Sequence, residues 1–335
     1  MFVPVIDGNT RKPLMPTTPS RARRMIKSKE ATPFWKNGIF CIRLNKQSSG
    51  WVTQAICVGI DPGSKKEGYS VVSFKHHFLN IQCDAVTHVK DRIKRRHHLR
   101  NGRRFRKTPC RKNKLNKNNK IWDIPPSTKA RWQLKLRVLG ILDKLYPISN
   151  VVVEDIKASY KKNRKKWNES FSPLQIGKNW FYGRIQNIYE LDIISGYETY
   201  KLRTETQLKK STKKLSDNFY SHCVDSWIIA AFILERGLVP TNKNVIYWIP
   251  LNFYRRQLHT TQPTKGGSRR KYGGTISIGI KRGSLVKHLK YGICYVGGSM
   301  KDKLTLHDLH SNKRLSRVTK ITDCKIIGYN CWRYY

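Results

Sequence analysis

Acidic residues are scarce in this chain of 335 residues, with 21 Asp+Glu against 67 Lys+Arg and a formal net charge of +46. A surface that positive repels itself and calls for a polyanion. Nucleic acid fits better than a membrane surface, because 36 aromatic residues accompany the cations. Long apolar runs are missing as well. The longest, Trp227–Leu234, has eight residues, far short of the ~20 that span a bilayer. The opening MFVPVIDGNTRKP lacks the apolar stretch of a secretory signal, so neither a membrane nor an export role is expected. None of the eight cysteines is spaced C-x-x-C, which suggests neither a zinc site nor a disulfide framework. Cys57 and Cys223 lie in apolar runs and read as buried thiols in a reducing compartment. No internal repeat is visible. What remains is 39% hydrophobic, enough for a sizeable core, and the length allows two or three compact units.

Along the chain, Met1–Ile6 reads as a short strand and Pro13-Leu14-Met15-Pro16 as a rigid turn. Thr18 or Ser20 can cap a basic helix running through Lys29, with Arg21, Arg23, Arg24 and Lys27 along it. Such a row suits a phosphate backbone or is simply a solvated face. AICVGI over 55–60 reads as a buried strand, Asp61–Gly68 as a turn, and YSVVSF from Tyr69 as the returning strand. A third strand is expected across 78–87. From Lys90 to Lys120, 15 of 31 residues are Lys or Arg, with Asp91 the one acid. The part up to Lys107 reads as one helix with cations on all sides, which needs polyanion on more than one of them. Pro109 ends it and KNKLNKNNK reads as a loop. An amphipathic helix is expected over 128–145 and a second buried strand at 150–156. The basic and aromatic stretch 159–190, with Trp167, Phe171, Trp180, Phe181 and Tyr182, reads as an insert facing nucleic acid. A largely apolar helix is expected over 217–236, and the last ~95 residues read as short strands with Gly turns.

Because acids are rare, their placement is informative. Most of the 21 lie in polar surroundings, and three do not. Asp61 ends the strand AICVGI, Glu154 ends the strand VVV, and Asp225 sits inside HCVDSWIIAAF. Burying a lone carboxylate costs several kcal/mol unless it is paired or bound to a cation. Any one of the three is well explained by a Lys or Arg partner, and a lone His on an apolar helix is usually structural. Together, in separate core elements, the three acids suggest convergence on one Mg²⁺ or Mn²⁺ site. Two such ions can activate water and stabilise the leaving oxygen of a phosphodiester. His222, three residues before Asp225, is expected on the same helical face, where an imidazole could take a proton from the attacking water.

The order strand–Asp-x-Gly–strand, strand–Glu, His-x-x-Asp on a helix resembles the split RuvC-like nuclease of the RNase H superfold. Its segments here are GIDPGSKKEGYS, VVVEDIKA and HCVDSWIIA. The basic run resembles the arginine-rich bridge helix of RNA-guided nucleases, and PLMPTTPSRARRMI resembles the PLMP domain of the IscB group. With WNESFSPLQIGKNWFY and RRKYGGTISIGIKRGSLV, the chain resembles the IsrB family, the shorter relatives of IscB, over nearly its whole length. The fold class this implies is α/β, an RNase H-like core split by insertions. The implied divisions are a PLMP domain (1–50), RuvC-like segment I (51–88), bridge helix and loop (89–120), segment II (121–158), a basic and aromatic insert and connector without an HNH nuclease (159–200), segment III (201–240), and a β-rich domain reading a target-adjacent motif (241–335).

The resemblance further implies binding of a noncoding ωRNA, opening of guide-matched double-stranded DNA, and nicking of the non-target strand. Asp61, Glu154 and Asp225 would hold two Mg²⁺ or Mn²⁺ ions, without zinc, and His222 would be the base. Arg92, Arg95, Arg96, Arg100, Arg103, Arg104 and Arg106 of the bridge helix would contact nucleic acid, as would Arg21, Arg23, Arg24, Arg269 and Arg270. The implied setting is a monomeric protein within a ribonucleoprotein, in a prokaryotic cytosol or a similar reducing, DNA-containing compartment. Glu154 and Asp225 are 71 positions apart (225 − 154), and residues 155–221 contain neither His nor Cys. No HNH base can lie there, so one active site and a nick are expected. Specificity would belong to base pairing, and the protein would read backbone and shape. Three rival readings share some of these residues. They are an RNA-independent junction resolvase or transposon nuclease, a non-catalytic RNA-binding protein with structural acids, and an actin-like ATPase, for which no second phosphate loop is found.

Overall fold

The short segment 1–50 builds a sheet of its own in the computed structural model, which describes residues 2–106, 124–155, 157, 172–235, 237, 239–251, 276–329 and 332–335. Its elements are β1 (Val3–Ile6), β2 (Pro13–Thr17), α1 (Pro19–Lys27), β3 (Ala31–Lys36) and β4 (Ile39–Leu44), in the sheet order β2-β1-β4-β3. The PLMP segment is therefore a strand rather than a turn. Two prolines are tolerated because β2 is an edge strand, where missing N–H donors leave no gap in the ladder. Strands β3 and β4 form a hairpin absent from the sequence reading. Asn37 and Gly38 both adopt positive φ, the condition for a tight two-residue hairpin turn. Thr18 caps α1 by accepting from the Arg21 N–H. Ala22 packs with Val3, Val5, Leu14, Ala31 and Ile42 beneath it.

The continuous apolar stretches become the central strands of a second sheet. Here β5 (Ile56–Asp61), β6 (Lys66–Ser73) and β7 (His77–Asp84) form an antiparallel meander. Helix α2 (His88–Phe105) follows, and none of its described residues is buried. Next come α3 (Pro126–Leu142), β8 (Asn150–Asp155), α4 (Pro173–Ile185), β9 (Glu190–Ser195), α5 (Gly196–Glu205) and α6 (Cys223–Ile233). Strand β8 lies parallel to β5 and β9 parallel to β8, so these five strands run β7-β6-β5-β8-β9. This is a mixed α/β arrangement. Alternate residues of each strand face opposite ways. Cys57, Val72, Val152 and Ile194 pack under α5 and α6, while Glu67 and Tyr69 face Lys135 of α3.

Several expectations need correction. Helix α6 begins at Cys223, not near 217. Ser216, Asn218 and Ser221 hydrogen-bond one another and nearby carbonyls, the local competition that ends or delays helices. Helix α4, within the stretch read as facing nucleic acid, is a core helix. Phe181 is fully buried, with its ring 5.2 Å from that of Trp132 on α3. Residues 158–171 of that stretch, including Trp167 and Phe171, lie outside the described residues. Neither β9 nor α5 was anticipated. Cys57 and Cys223 are buried free thiols.

The chain divides into two compact units, residues 1–90 with 112–247 and residues 91–111 with 248–335. In the second, β10 (Ile246–Pro250) continues past Trp248. β11 (Ile276–Ser277) and β12 (Ile280–Lys281) form a small antiparallel pair. Then come β13 (Leu285–His288), β14 (Gly292–Met300), β15 (Lys303–His307), β16 (Arg314–Thr319), β17 (Cys324–Gly328) and β18 (Trp332–Tyr334). An antiparallel sheet runs β16-β15-β14-β13-β17 around Val286, Cys294, Val296, Leu304 and Leu306. Strand β18 pairs with β10 from Trp248–Tyr334 to Pro250–Trp332. Among the described residues, no helix is long and apolar enough to cross a membrane.

Candidate metal centre

Strand periodicity puts the first two acids on one face. Asp61 shares its side of β5 with Cys57 and Gly59, and Glu154 shares its side of β8 with Val152, both under α6. The parallel register pairs Gly59 with Val152 and Ile60 with Val153, so one further step sets Asp61 beside Glu154 at the strand ends. Two glycines let α6 approach the sheet. A Cβ on Gly59 would collide with the Ser226 carbonyl, and one on Gly68 with the His222 carbonyl. With no side chain between them, helix backbone lies directly on strand backbone. Asp225, in the first turn of α6, then reaches the strand ends. One oxygen each from Asp61, Glu154 and Asp225 lies within 4.8 Å of the others. Asp61 is 4% and Asp225 1% exposed.

The surroundings partly compensate the negative charge. Lys210 hydrogen-bonds Asp225 Oδ2, and its Nζ stands 3.8 Å from Asp61 Oδ2. Arg203 Nε lies 2.9 Å from Asp225 Oδ1. Burial drives the Glu154 carboxyl up to about 9, helped by the neighbouring Asp61 and Asp225 charges. Burial and the Asp61 charge also raise Asp225. At Asp61 burial pushes upward too, but the His222 hydrogen bond and the Lys210 charge outweigh it and hold the group below its ordinary value. Lys210 is raised, because the attraction of Asp61 and Asp225 exceeds the cost of its burial. In the absence of a bound metal, Glu154 therefore keeps its proton at neutral pH while Asp61 does not.

His222 differs from expectation in position. It is the residue before α6, with φ −135°, and does not share a helical face with Asp225. Its Nδ1 is 2.8 Å from Asp61 Oδ2, and its Nε2 donates to the Lys214 carbonyl at 3.1 Å. Both ring nitrogens are thus engaged. Of the expected nucleic-acid contacts, Arg21, Arg23 and Arg24 are exposed on α1. Arg95, Arg96, Arg100 and Arg104 on α2 and Arg106 just past it are exposed, and Arg92 is half-buried. The Arg103 side chain, Arg269 and Arg270 lie outside what is described.

Sequence reasoning missed Lys210 and Arg203, since nothing distinguishes them among 67 cations. It also undercounted buried acids, because Asp7 and Glu67 are fully buried. Glu67 accepts from Lys135 at 2.7 Å and from the Tyr69 hydroxyl at 2.6 Å. Its place in KKEGYS, one residue before a strand glycine, was the available signal.

Three hard oxygen ligands, two buried and that of Glu154 half-buried, are the donor set for Mg²⁺ or Mn²⁺. Lys210, a cation already drawn between two of them, marks the place where positive charge belongs. Comparison with known proteins adds a family. The model described as "RRXRR protein" matches residues 3–170, half of the chain. No curated protein sequence matches. Among solved structures, T. thermophilus RuvC in complex with a Holliday junction substrate is similar at TM-score 0.26 and 12% identity. That match covers 56% of this chain and 83% of that one. The yeast mitochondrial Holliday junction resolvase Ydc2 is similar at TM-score 0.27 and 13% identity, covering 55% of this chain and 79% of that one.

Proposed function

The chain belongs to the RRXRR protein family, and from that premise we propose that it is an RNA-guided, metal-dependent endonuclease of the IsrB kind, nicking one strand of guide-matched DNA. The observation that carries the reading is the Asp61–Glu154–Asp225 cluster, with Asp61 and Asp225 buried and Glu154 half-buried, in a chain of net charge +46. Lys210, Arg203 and His222 partner two of the three carboxylates, but a single ion pair would need only one acid, whereas a phosphodiester nuclease needs several converging on one point. Further support comes from the five-strand order with its parallel β5, β8 and β9, and from the cation-covered α2. The IsrB-like segments quoted above run through both.

In this reading Asp61, Glu154 and Asp225 would hold two divalent cations, whose chemistry would be to activate water and to neutralise charge on the scissile phosphate. The chain's own residues do the rest. Glu154, protonated near neutral pH without metal, would have to lose its proton to act as a ligand. Lys210 leaves the carboxylates and meets a phosphate oxygen, which its position on the segment after α5 permits. His222 fixes the orientation of Asp61 through Nδ1, anchored behind by the Lys214 carbonyl. With the His222 Nδ1 deprotonated and freed from Asp61, that nitrogen would be the proton acceptor, while Nε2–H stays on the Lys214 carbonyl. The Arg side chains of α1 and α2 neutralise RNA and DNA backbone, and base pairing supplies the sequence.

The test is co-expression with the flanking native DNA, purification, and sequencing of retained RNA, followed by a nicking assay with Asp61→Ala as control. One abundant structured RNA and a guide-dependent nick support the reading. Guide-free cleavage of a branched junction would transfer it to an RNA-independent resolvase. RNA retention with no Asp61-dependent activity would leave a non-catalytic RNA-binding protein.

A further inference from the structure

The PLMP strand has no part in the metal centre, yet it forms a wall of an open hollow in the first unit. This hollow has a volume of about 510 Å³, between β2 and α1 on one side and residues 46–53 on the other. Leu14, Met15, Met25 and Leu44 make its apolar lining, and Arg21, Glu30 and Lys46 bring charge to it. The size and the mix of apolar wall with a few polar groups are those of a small-ligand pocket.

The wall is built rather than incidental. Asp7, a fully buried carboxylate, accepts the Ser48 N–H at 2.6 Å through Oδ1. Its Oδ2 accepts the Thr10 N–H and hydroxyl, both at 2.8 Å. These N–H donors, the Thr10 N–H foremost, hold the group below its ordinary value despite burial, so it stays charged and clamps residue 48 onto β1. Glu30 differs. It is exposed and makes no ion pair among the described residues. A solitary carboxylate at the edge of an apolar hollow, flanked by Arg21 and Lys46, is a hydrogen-bond acceptor set where the surrounding charge attracts phosphate.

We propose that this hollow binds one unpaired guanine nucleotide of an RNA. The base lies between the methionine and leucine side chains. Its adjacent N1–H and N2–H donors meet the two Glu30 oxygens, and its phosphate meets Arg21 and Lys46. Extruded single bases read on their hydrogen-bonding edges are the usual way protein recognises RNA sequence. Adenine offers a ring nitrogen acceptor where guanine offers N1–H, so it faces the carboxylate with a lone pair and is rejected. The choice of RNA as the source of the nucleotide rests on the function proposed above, but the pocket's base preference does not.

Calorimetric titration of the full chain, stripped of RNA by nuclease and high salt, separates the two. Guanosine monophosphate should bind saturably and at least about tenfold more tightly than adenosine monophosphate. Glu30→Gln should abolish that preference, and Arg21→Ala should weaken both nucleotides while keeping it. Thermal melting verifies that both exposed-site variants are folded. Absence of saturable guanosine monophosphate binding, equal affinity for the two nucleotides, or indifference to Glu30→Gln overturns the proposal. Retention of single-stranded RNA on a filter is measured in parallel. Loss of that retention with the guanine preference intact would reject the RNA reading and leave the pocket standing.

Discussion

Two groups of buried acids occupy opposite faces of the same sheet and are handled in opposite ways. On the α3 face, Glu67 meets one ammonium, Lys135, and one phenol, Tyr69. The charges cancel and the pair is 0% and 3% exposed at its side chains. On the α6 face, Asp61, Glu154 and Asp225 crowd within 4.8 Å, and the excess shows as a Glu154 proton retained up to about 9. A balanced pair fastens a helix to a strand. Without metal, Lys210, Arg203 and the retained Glu154 proton offset the crowded negative charge, and a divalent cation would have to displace them. The first arrangement fastens the fold, and the second has the donor set of a candidate metal site.

Experiments can break this contrast. Asp61→Asn should lower nicking by about a thousandfold, roughly 4 kcal/mol of transition-state stabilisation, while lowering the melting temperature only slightly, since the His222 hydrogen bond can persist and only the attraction to Lys210 and His222 is lost. A nicking assay paired with a thermal melt checks both. Lys135→Met should do the reverse. Stranding Glu67 costs about 3 kcal/mol of stability, measured by urea unfolding, with Mn²⁺ affinity retained. If both variants lost activity and stability alike, the two faces would not differ in kind.

Gly68→Ala sharpens the packing argument. A methyl there meets the His222 carbonyl, and pushing α6 outward should cost about 1–3 kcal/mol and weaken Mn²⁺ binding together. Calorimetry should register both losses.

The pH dependence follows from the raised Glu154. An unfolded chain loses this proton near the ordinary value of 4.5 and the metal-free fold near about 9. Between those limits the folded state binds more protons, so metal-free stability falls as pH rises. Metal must displace the same proton, so Mn²⁺ affinity should climb with pH across that window, with proton release measurable by titration in two buffers. A metal-free melting profile flat from pH 5 to 9 would contradict the assignment. The smallest effect is expected at Lys210. Its replacement by Ala should raise Mn²⁺ affinity, by removing a competing cation, and slow nicking about tenfold by the loss of one phosphate contact.

Much of the α6 face was legible in the residues, because scarcity made acids conspicuous. Asp61 and Glu154 each end an apolar run, and Asp225 interrupts one. The α3 face was not, since Glu67 stands in KKEGYS, a stretch that reads as a polar turn until β6 is seen to begin at Lys66. His222 was found but misplaced, because Ser216, Asn218 and Ser221 delay the start of α6. β9 and α5 were overlooked, as ELDIIS carries acids at an edge position where no strict alternation is required.

The sequence by itself determined the large excess of positive charge, the buried central strands and the identity of three acids, since charge, apolar continuity and rarity are properties of composition and local order. Tertiary structure alone decided that those acids converge, that Lys210 stands among them, that Glu67 is neutralised on the far side, and that the PLMP strand walls a cavity. Each of these depends on contacts between residues distant in the chain, down to the backbone approach of α6 that Gly59 and Gly68 permit. Among 67 cations, only position in space tells which one meets which carboxylate.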